Sequence, residues 1–239
     1  MPQIADPARA NAVDVAARLA DVRRRIDDAA ARFNREPGDI HLVAISKTKP
    51  AAQVAAAYDA GQTDFGENYL QDALAKIETL ADRGIAWHFV GDIQSNKTRD
   101  IAACFAWAHA VDRFKIARRL SEQRPENAAP LNVCIQVNID AQASKSGLAP
   151  EEVAGLADRM AELPGIRLRG LMAIPAFSAE FELQRRPFAA LRELRDQLNQ
   201  AGHALDTLSM GMSADIEAAI AEGATHVRVG TAIFGARDS

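Results

Sequence analysis

"HLVAISKTKP", residues 41–50, reads as a strand of a parallel sheet that runs into a lysine. Leu42, Val43, Ala44 and Ile45 form a short continuous apolar run, as in a strand covered on both faces. Ser46, Lys47, Thr48 and Lys49 bring polar chemistry to its end, and Pro50 suits the first turn of a helix. The same strand-then-helix pattern recurs along the chain. Strands are expected at 41–47, 64–68, 87–91, 107–112, 132–139, 167–174, 206–210 and 226–230. Helical periodicity occupies 51–60, 69–82, 96–104, 113–123, 150–163, 181–201 and 213–222. Gly61, Gly84, Gly202 and Gly223 stand where helices stop, the usual place for a left-handed residue. Apolar strands alternating with helices imply a parallel sheet wrapped in helices, and eight units fit a closed (β/α)8 TIM barrel better than an open sheet. The expected fold is α/β, with residues 1–239 forming a single barrel domain. Ahead of it, Val15, Leu19, Val22, Ile26, Ala30 and Phe33 share one face and predict an extra N-terminal helix over about 7–34.

Composition excludes several classes of function. The 239 residues are 48% hydrophobic and 25% charged, ordinary for a globular protein and enough for one barrel. A net charge of −4 argues against a nucleic-acid surface. The run Arg23-Arg24-Arg25 is interleaved with Asp21, Asp27 and Asp28 and reads as a solvated helix face. Cys104 and Cys134 show neither a CxxC pair nor metal-ligand spacing; they read as small core residues in a reducing compartment. No apolar run approaches the roughly 18 residues of a membrane span. The N-terminal segment carries too many aspartates for a transit peptide, so the expected location is cytoplasmic. No G-x-G-x-x-G follows a strand, which leaves a dinucleotide site without support.

In a (β/α)8 barrel the chemistry sits at the C-terminal ends of the strands, and phosphate is commonly held after strands 7 and 8. Lys47, at the end of strand 1, fits either a surface lysine or a Schiff-base amine. In "LSMGMSADIEAAI", residues 208–220, Ser213 is either a helix N-cap or an anion contact. In "VRVGTAIFG", residues 227–235, Gly230 and Thr231 offer backbone N–H groups to the same anion. Arg228 lies two residues before Gly230 and shares its face, so if buried it needs a carboxylate or a ligand. A lysine after strand 1 and an anion cup after strands 7 and 8 describe a ligand with an aldehyde at one end and a phosphate at the other. Pyridoxal 5′-phosphate (PLP) satisfies both requirements, as do some phosphorylated sugars.

The segments "LVAISKTKP", "FGENYLQDALAKI", "WHFVGDIQSNK", "VNIDAQASKSGL", "RGLMAIPA" and "LSMGMSADIEAAIAEGATHVRVGTAIFGAR" closely resemble the YggS/PROSC family of PLP homeostasis proteins, in order, over residues 40–237. The resemblance implies a barrel of the alanine racemase N-terminal domain type that binds PLP without an established catalytic reaction. It implies an aldimine at Lys47, phosphate contacts from Ser213, Gly230 and Thr231, Arg228 facing the pyridine nitrogen, and Asn68 lining the same cavity. The implied role is to hold PLP within intracellular vitamin B6 homeostasis, with apo PLP enzymes as transient partners. The alternative is a PLP-dependent amino-acid racemase of weak or narrow activity. With no β-domain after the barrel, an open PLP face and a monomer are expected. Asp92 departs from the resemblance by placing an acid near the rim. His88, between Trp87 and Phe89, reads as a core histidine ahead of a cavity residue. Lys49 and Lys145 read as surface lysines, or else as acceptors of PLP from Lys47.

Overall fold

The computed structural model describes residues 7–142 and 146–236, with side chains from residue 14 onward. A 26-residue helix, α1 (Pro7–Arg32), comes first. There follow β1 (His41–Ile45) and α2 (Ala51–Asp59), β2 (Asp64–Glu67) and α3 (Leu70–Thr79), β3 (Ala86–Phe89) and α4 (Thr98–Cys104), and β4 (Trp107–Val111) and α5 (Phe114–Glu122). The second half contains β5 (Leu131–Gln136) and α6 (Val153–Ala161), β6 (Ile166–Met172) and α7 (Phe181–Gln200), β7 (Thr207–Ser209) and α8 (Ile216–Ala221), and β8 (His226–Val229) with the single turn α9 (Thr231–Phe234). Each strand pairs in parallel with the next, and β8 closes on β1 from His41↔His226 to Ala44↔Val229. The expected (β/α)8 barrel is thus present. The expected strands overrun at their C-terminal ends, where the chain leaves the ladder to build the loops of that face.

The N-terminal helix is part of the outer ring. The helix after β8 has only four residues, too few to cover its strand, and α1 packs against α2, α8 and α9 to close that gap. Val15, Leu19, Val22, Ile26 and Ala30 are buried, and Phe33 stacks on Phe181 of α7 at 6.0 Å. The arginine run is not uniformly solvated as expected. Arg24 is exposed beside Asp21, but Arg23 donates to the Ala60 carbonyl at 3.0 Å and Arg25 pairs with Glu217. Gly61, Gly202 and Gly223 take positive φ as helix stops. Gly84 does not; α3 ends earlier, at Thr79, and the Gly84 N–H donates to the Tyr58 hydroxyl at 3.1 Å.

Alternation along the strands builds two layers. Leu42, Ala44, Phe65, Trp87 and Phe89 join the apolar layer beneath the helices. Inside the barrel, Val43, Ile45 and Val90 converge on Gly66. Towards the strand N-termini the interior departs from the branched aliphatic filling usual in this fold. His88 stacks on Trp107 at 5.6 Å, and His226 lies 4.8 Å from Trp107 and 4.9 Å from His41. Cys134 is fully buried, which pushes its thiol up to about 12, and Cys104 is partly exposed; both are free thiols.

Candidate functional site

The C-terminal ends of β1 and β8 enclose a cleft of about 170 Å³, lined among others by Lys47, Thr48, Gly230 and Thr231. The closed sheet makes the first and last strands neighbours, so an amine after β1 and a turn after β8 meet although 183 residues separate Lys47 from Gly230 in the chain. Gly230 eases that approach: a Cβ there would lie a tight 3.1 Å from the Ile45 carbonyl oxygen and 3.3 Å from its Cβ. Thr231 is exposed at the start of α9.

The backbone on either side of Lys47 is held by a buried ionic cluster. The Ser46 hydroxyl donates to Glu67 at 2.6 Å. Lys76 Nζ donates to the Ser46 carbonyl at 2.7 Å, to Glu67 at 2.7 Å and to Asp72 at 3.0 Å. Asp72 in turn accepts the Thr48 N–H at 3.2 Å. Thr48 sits at φ +64°, a conformation that costs a β-branched residue about 1–2 kcal/mol. The cluster supplies the interactions that hold it there and so sets the exit angle of Lys47. Burial raises the Glu67 carboxyl above its ordinary range, against the opposing pull of Lys76 and Ser46. Glu67, Asp72 and Lys76 were not singled out in the sequence. Only the i,i+4 spacing of Asp72 and Lys76 hinted at them, and it reads equally as a surface pair.

Lys49 is not a surface lysine, and it lines the same cleft as Lys47. It is 7% exposed, and its ammonium donates to the Ala236 carbonyl at 2.6 Å, tying the loop after β1 to the chain after α9. Lys145 lies outside the described residues. Asp92 is exposed and lines a separate cleft of about 270 Å³ with Gln136, Asn138 and Ile174.

The other candidates stand at the same end of the barrel without lining the Lys47 cleft. Asn68 directly follows β2, and its Oδ1 is buried with no hydrogen-bond partner among the described residues. Ser213 does not cap a helix: α8 begins at Ile216, Asp215 occupies the cap position, and Asp215 accepts the Met212 N–H at 2.6 Å. Ser213 lies in the turn before it, where Arg25 of α1 donates to its carbonyl at 2.6 Å. Gly211 permits this turn, with φ +91° and space for a Cβ only 2.5 Å from that of Ala219. Arg228 is 5% exposed and donates to Ser209 Oγ at 2.7 Å and to the Ala173 carbonyl at 3.0 Å. Neither partner is a carboxylate. Burial lowers its pKa to about 10, with Asp215 opposing. His88 is a buried, hydrogen-bonded histidine, and it faces the barrel interior. Tyr69, expected inside a helix, instead precedes α3 and is 53% exposed next to Asn68.

A barrel with this strand-end arrangement is the architecture of the alanine racemase N-terminal domain, and that family description matches residues 18–238. An alanine racemase from Corynebacterium glutamicum superposes with a TM-score of 0.69 at 18% identity, covering 92% of this chain and 62% of that one; the likeness is one of fold. PipY of Synechococcus elongatus, solved with PLP bound, superposes with a TM-score of 0.80 at 36% identity, covering 92% and 100%. The pyridoxal phosphate homeostasis protein of Pseudomonas aeruginosa is 59% identical over 224 residues, 94% of this chain and 96% of that protein. The chain belongs to the pyridoxal phosphate homeostasis protein family.

Proposed function

We propose that this protein binds PLP at the C-terminal mouth of its barrel and takes part in vitamin B6 homeostasis, with Lys47 as the point of covalent attachment. The observation that carries the reading is the shared cleft of Lys47, Gly230 and Thr231. The residues fit the group. An amine and a glycine-bearing turn face one space, and Asn68 offers a buried oxygen or amide in need of a partner. Lys47 would hold PLP covalently through its amine, in a link that water can reverse and that would suit storage and release. Gly230, Thr231 and Ser213 would hold the phosphate through N–H and hydroxyl groups. Bound PLP supplies an electron sink for amino-acid chemistry. Arg228 would hold the pyridine end of PLP as a donor-only cation, which would disfavour protonation of the ring nitrogen and weaken that sink.

The reading includes a cytoplasmic, monomeric single domain that hands PLP to apo-enzymes. Among the described residues no helix is long and apolar enough to cross a membrane, and the net charge of −4 provides no broad basic surface.

Protein incubated with PLP is expected to turn yellow. Borohydride reduction should bleach the visible band and fix the cofactor's mass on the peptide containing Lys47. Lys47→Ala should lose the fixed label. A colourless protein, or a label on a different peptide, would overturn the assignment. A screen for interconversion of D- and L-amino acids tests the racemase alternative.

A further inference from the structure

Three histidines, His88, His109 and His226, are buried inside the barrel, and attachment of a cofactor at Lys47 requires none of them. Two of them belong to a continuous hydrogen-bonded chain. Arg228 Nη1 donates to Ser209 Oγ at 2.7 Å, and Ser209 Oγ lies 2.8 Å from His109 Nδ1. His109 Nε2 lies 2.9 Å from His88 Nδ1, and His88 Nε2 lies 3.1 Å from Asp64 Oδ1. Asp64 is the first residue of β2 and Ser209 the last of β7, so the chain climbs from the N-terminal mouth towards the C-terminal one. Among the described residues, no group of three or more His, Cys, Asp or Glu side chains is arranged to hold a metal ion. The cluster therefore has to be explained by its hydrogen bonds.

Donor accounting gives the chain a direction. A guanidinium only donates and an ionised carboxylate only accepts. Ser209 accepts a hydrogen bond from Arg228, and its own hydroxyl donates to His109 Nδ1. His109 Nε2–H then donates to His88 Nδ1, and His88 Nε2–H donates to Asp64. Both rings are neutral, and both carry the proton on Nε2. The opposite direction requires a protonated Asp64 and a Ser209 that accepts twice while its hydroxyl proton has no acceptor in the chain. Burial disfavours the charged form of both histidines. Burial also pushes Asp64 up, but hydrogen bonds from His88 and Thr63 outweigh it and hold the carboxyl below its ordinary range.

We infer that Asp64, His88, His109 and Ser209 are positioning residues for Arg228, a directed relay through the barrel axis that fixes the guanidinium beneath the C-terminal mouth. Ser209 and Ala173 commit N–H groups on both terminal nitrogens, which sets the edge left for a ligand. The carboxylate at the far mouth polarises every link towards itself. That the ligand at this edge is the PLP pyridine ring rests on the function proposed above.

Histidine-selective ¹⁵N labelling of the PLP-free protein, with long-range ¹H–¹⁵N correlation, tests the relay independently of that reading. His88 and His109 should both appear as neutral Nε2–H tautomers. An Nδ1–H tautomer or an imidazolium at either position overturns the inference. Ser209→Ala should remove the donor to His109 Nδ1 and shift that nitrogen's ¹⁵N resonance, while the Asp64 end still holds both rings as Nε2–H tautomers. Asp64→Asn keeps an acceptor for His88 but removes the charge, and should move the His88 and His109 ¹⁵N shifts without changing their tautomers. If PLP binds, loading should move the His109 ¹⁵N shifts in the wild type. Dissociation from Ser209→Ala should be about five- to tenfold faster, the loss of roughly one hydrogen bond's net contribution. Unmoved His109 shifts on loading, or an unchanged dissociation rate, would refute the positioning role. If PLP does not bind, the proposed function fails and the tautomers alone decide the relay.

Discussion

Replacing Lys76 with methionine should destabilise the protein by about 3–5 kcal/mol, the range for breaking a buried ion pair from one side. Methionine matches the length and fills the space, so the loss is electrostatic. The Glu67 side chain is fully buried and that of Lys76 is 4% exposed, and the two meet at 2.7 Å. Without the ammonium, Glu67 is left with the Ser46 hydroxyl alone and must either stay charged without compensation or take up a proton. The Ser46 carbonyl also loses its donor from Lys76. The double variant Glu67→Gln with Lys76→Met should recover much of the loss, because the amide can still accept from Ser46 and carries no charge. Denaturant midpoints of the wild type and both variants measure this directly. A loss below about 1 kcal/mol for Lys76→Met would show that the cluster is open to water. Because Ser46 and Thr48 flank Lys47, the single variant should also weaken PLP retention even in the fraction that remains folded.

Acidification from pH 7 towards 5 should reduce stability steeply, and the buried histidines are the cause. Burial, reinforced by His88 and His41, lowers the pKa of His226 to about 3 from an ordinary 6.5. The unfolded chain therefore binds a proton that the folded chain excludes. Stability contributed by this group is complete above 6.5 and falls as pH drops from 6.5 to about 3. At about 1.4 kcal/mol per pH unit, His226 alone accounts for roughly 2 kcal/mol by pH 5. His109 and His88 act in the same direction. Glu67 acts in the opposite sense: its raised folded pKa makes its contribution decline as pH rises from its ordinary 4.5. Urea unfolding at pH 7.5, 6 and 5 should show the histidine slope, and His226→Gln should flatten it. Equal stability at pH 7.5 and 5 would rule out the neutral, dry histidine layer.

Much of this architecture is written in local patterns. Most of the eight strands were legible as short apolar runs bounded by turn chemistry, and β2 (Asp64–Glu67) and β7 (Thr207–Ser209) by their place in the strand–helix alternation. The N-terminal helix was legible because Val15, Leu19, Val22 and Ile26 repeat at helical spacing. Lys47, Gly230 and Thr231 were legible because strand-end positions of a barrel face one mouth. Strand ends were misjudged where apolar residues continue past the strand, as at Val137 and Ile139 after β5. The N-cap alternative for Ser213 failed because a serine before an apolar run resembles a cap, whereas the helix starts three residues later.

The order of elements, the closed barrel and the face that carries the chemistry were set by the sequence alone, since periodicity and turn residues act between near neighbours in the chain. The surroundings of Lys47 and Arg228 were decided only by the tertiary structure. The Lys76 clamp joins α3 to the ends of β1 and β2, Arg25 reaches the Ser213 turn across 188 residues, and Ser209 meets His109 across 100. Such pairs form when barrel closure brings distant polar groups together out of water. There each must find a partner, and no local pattern records which one it finds.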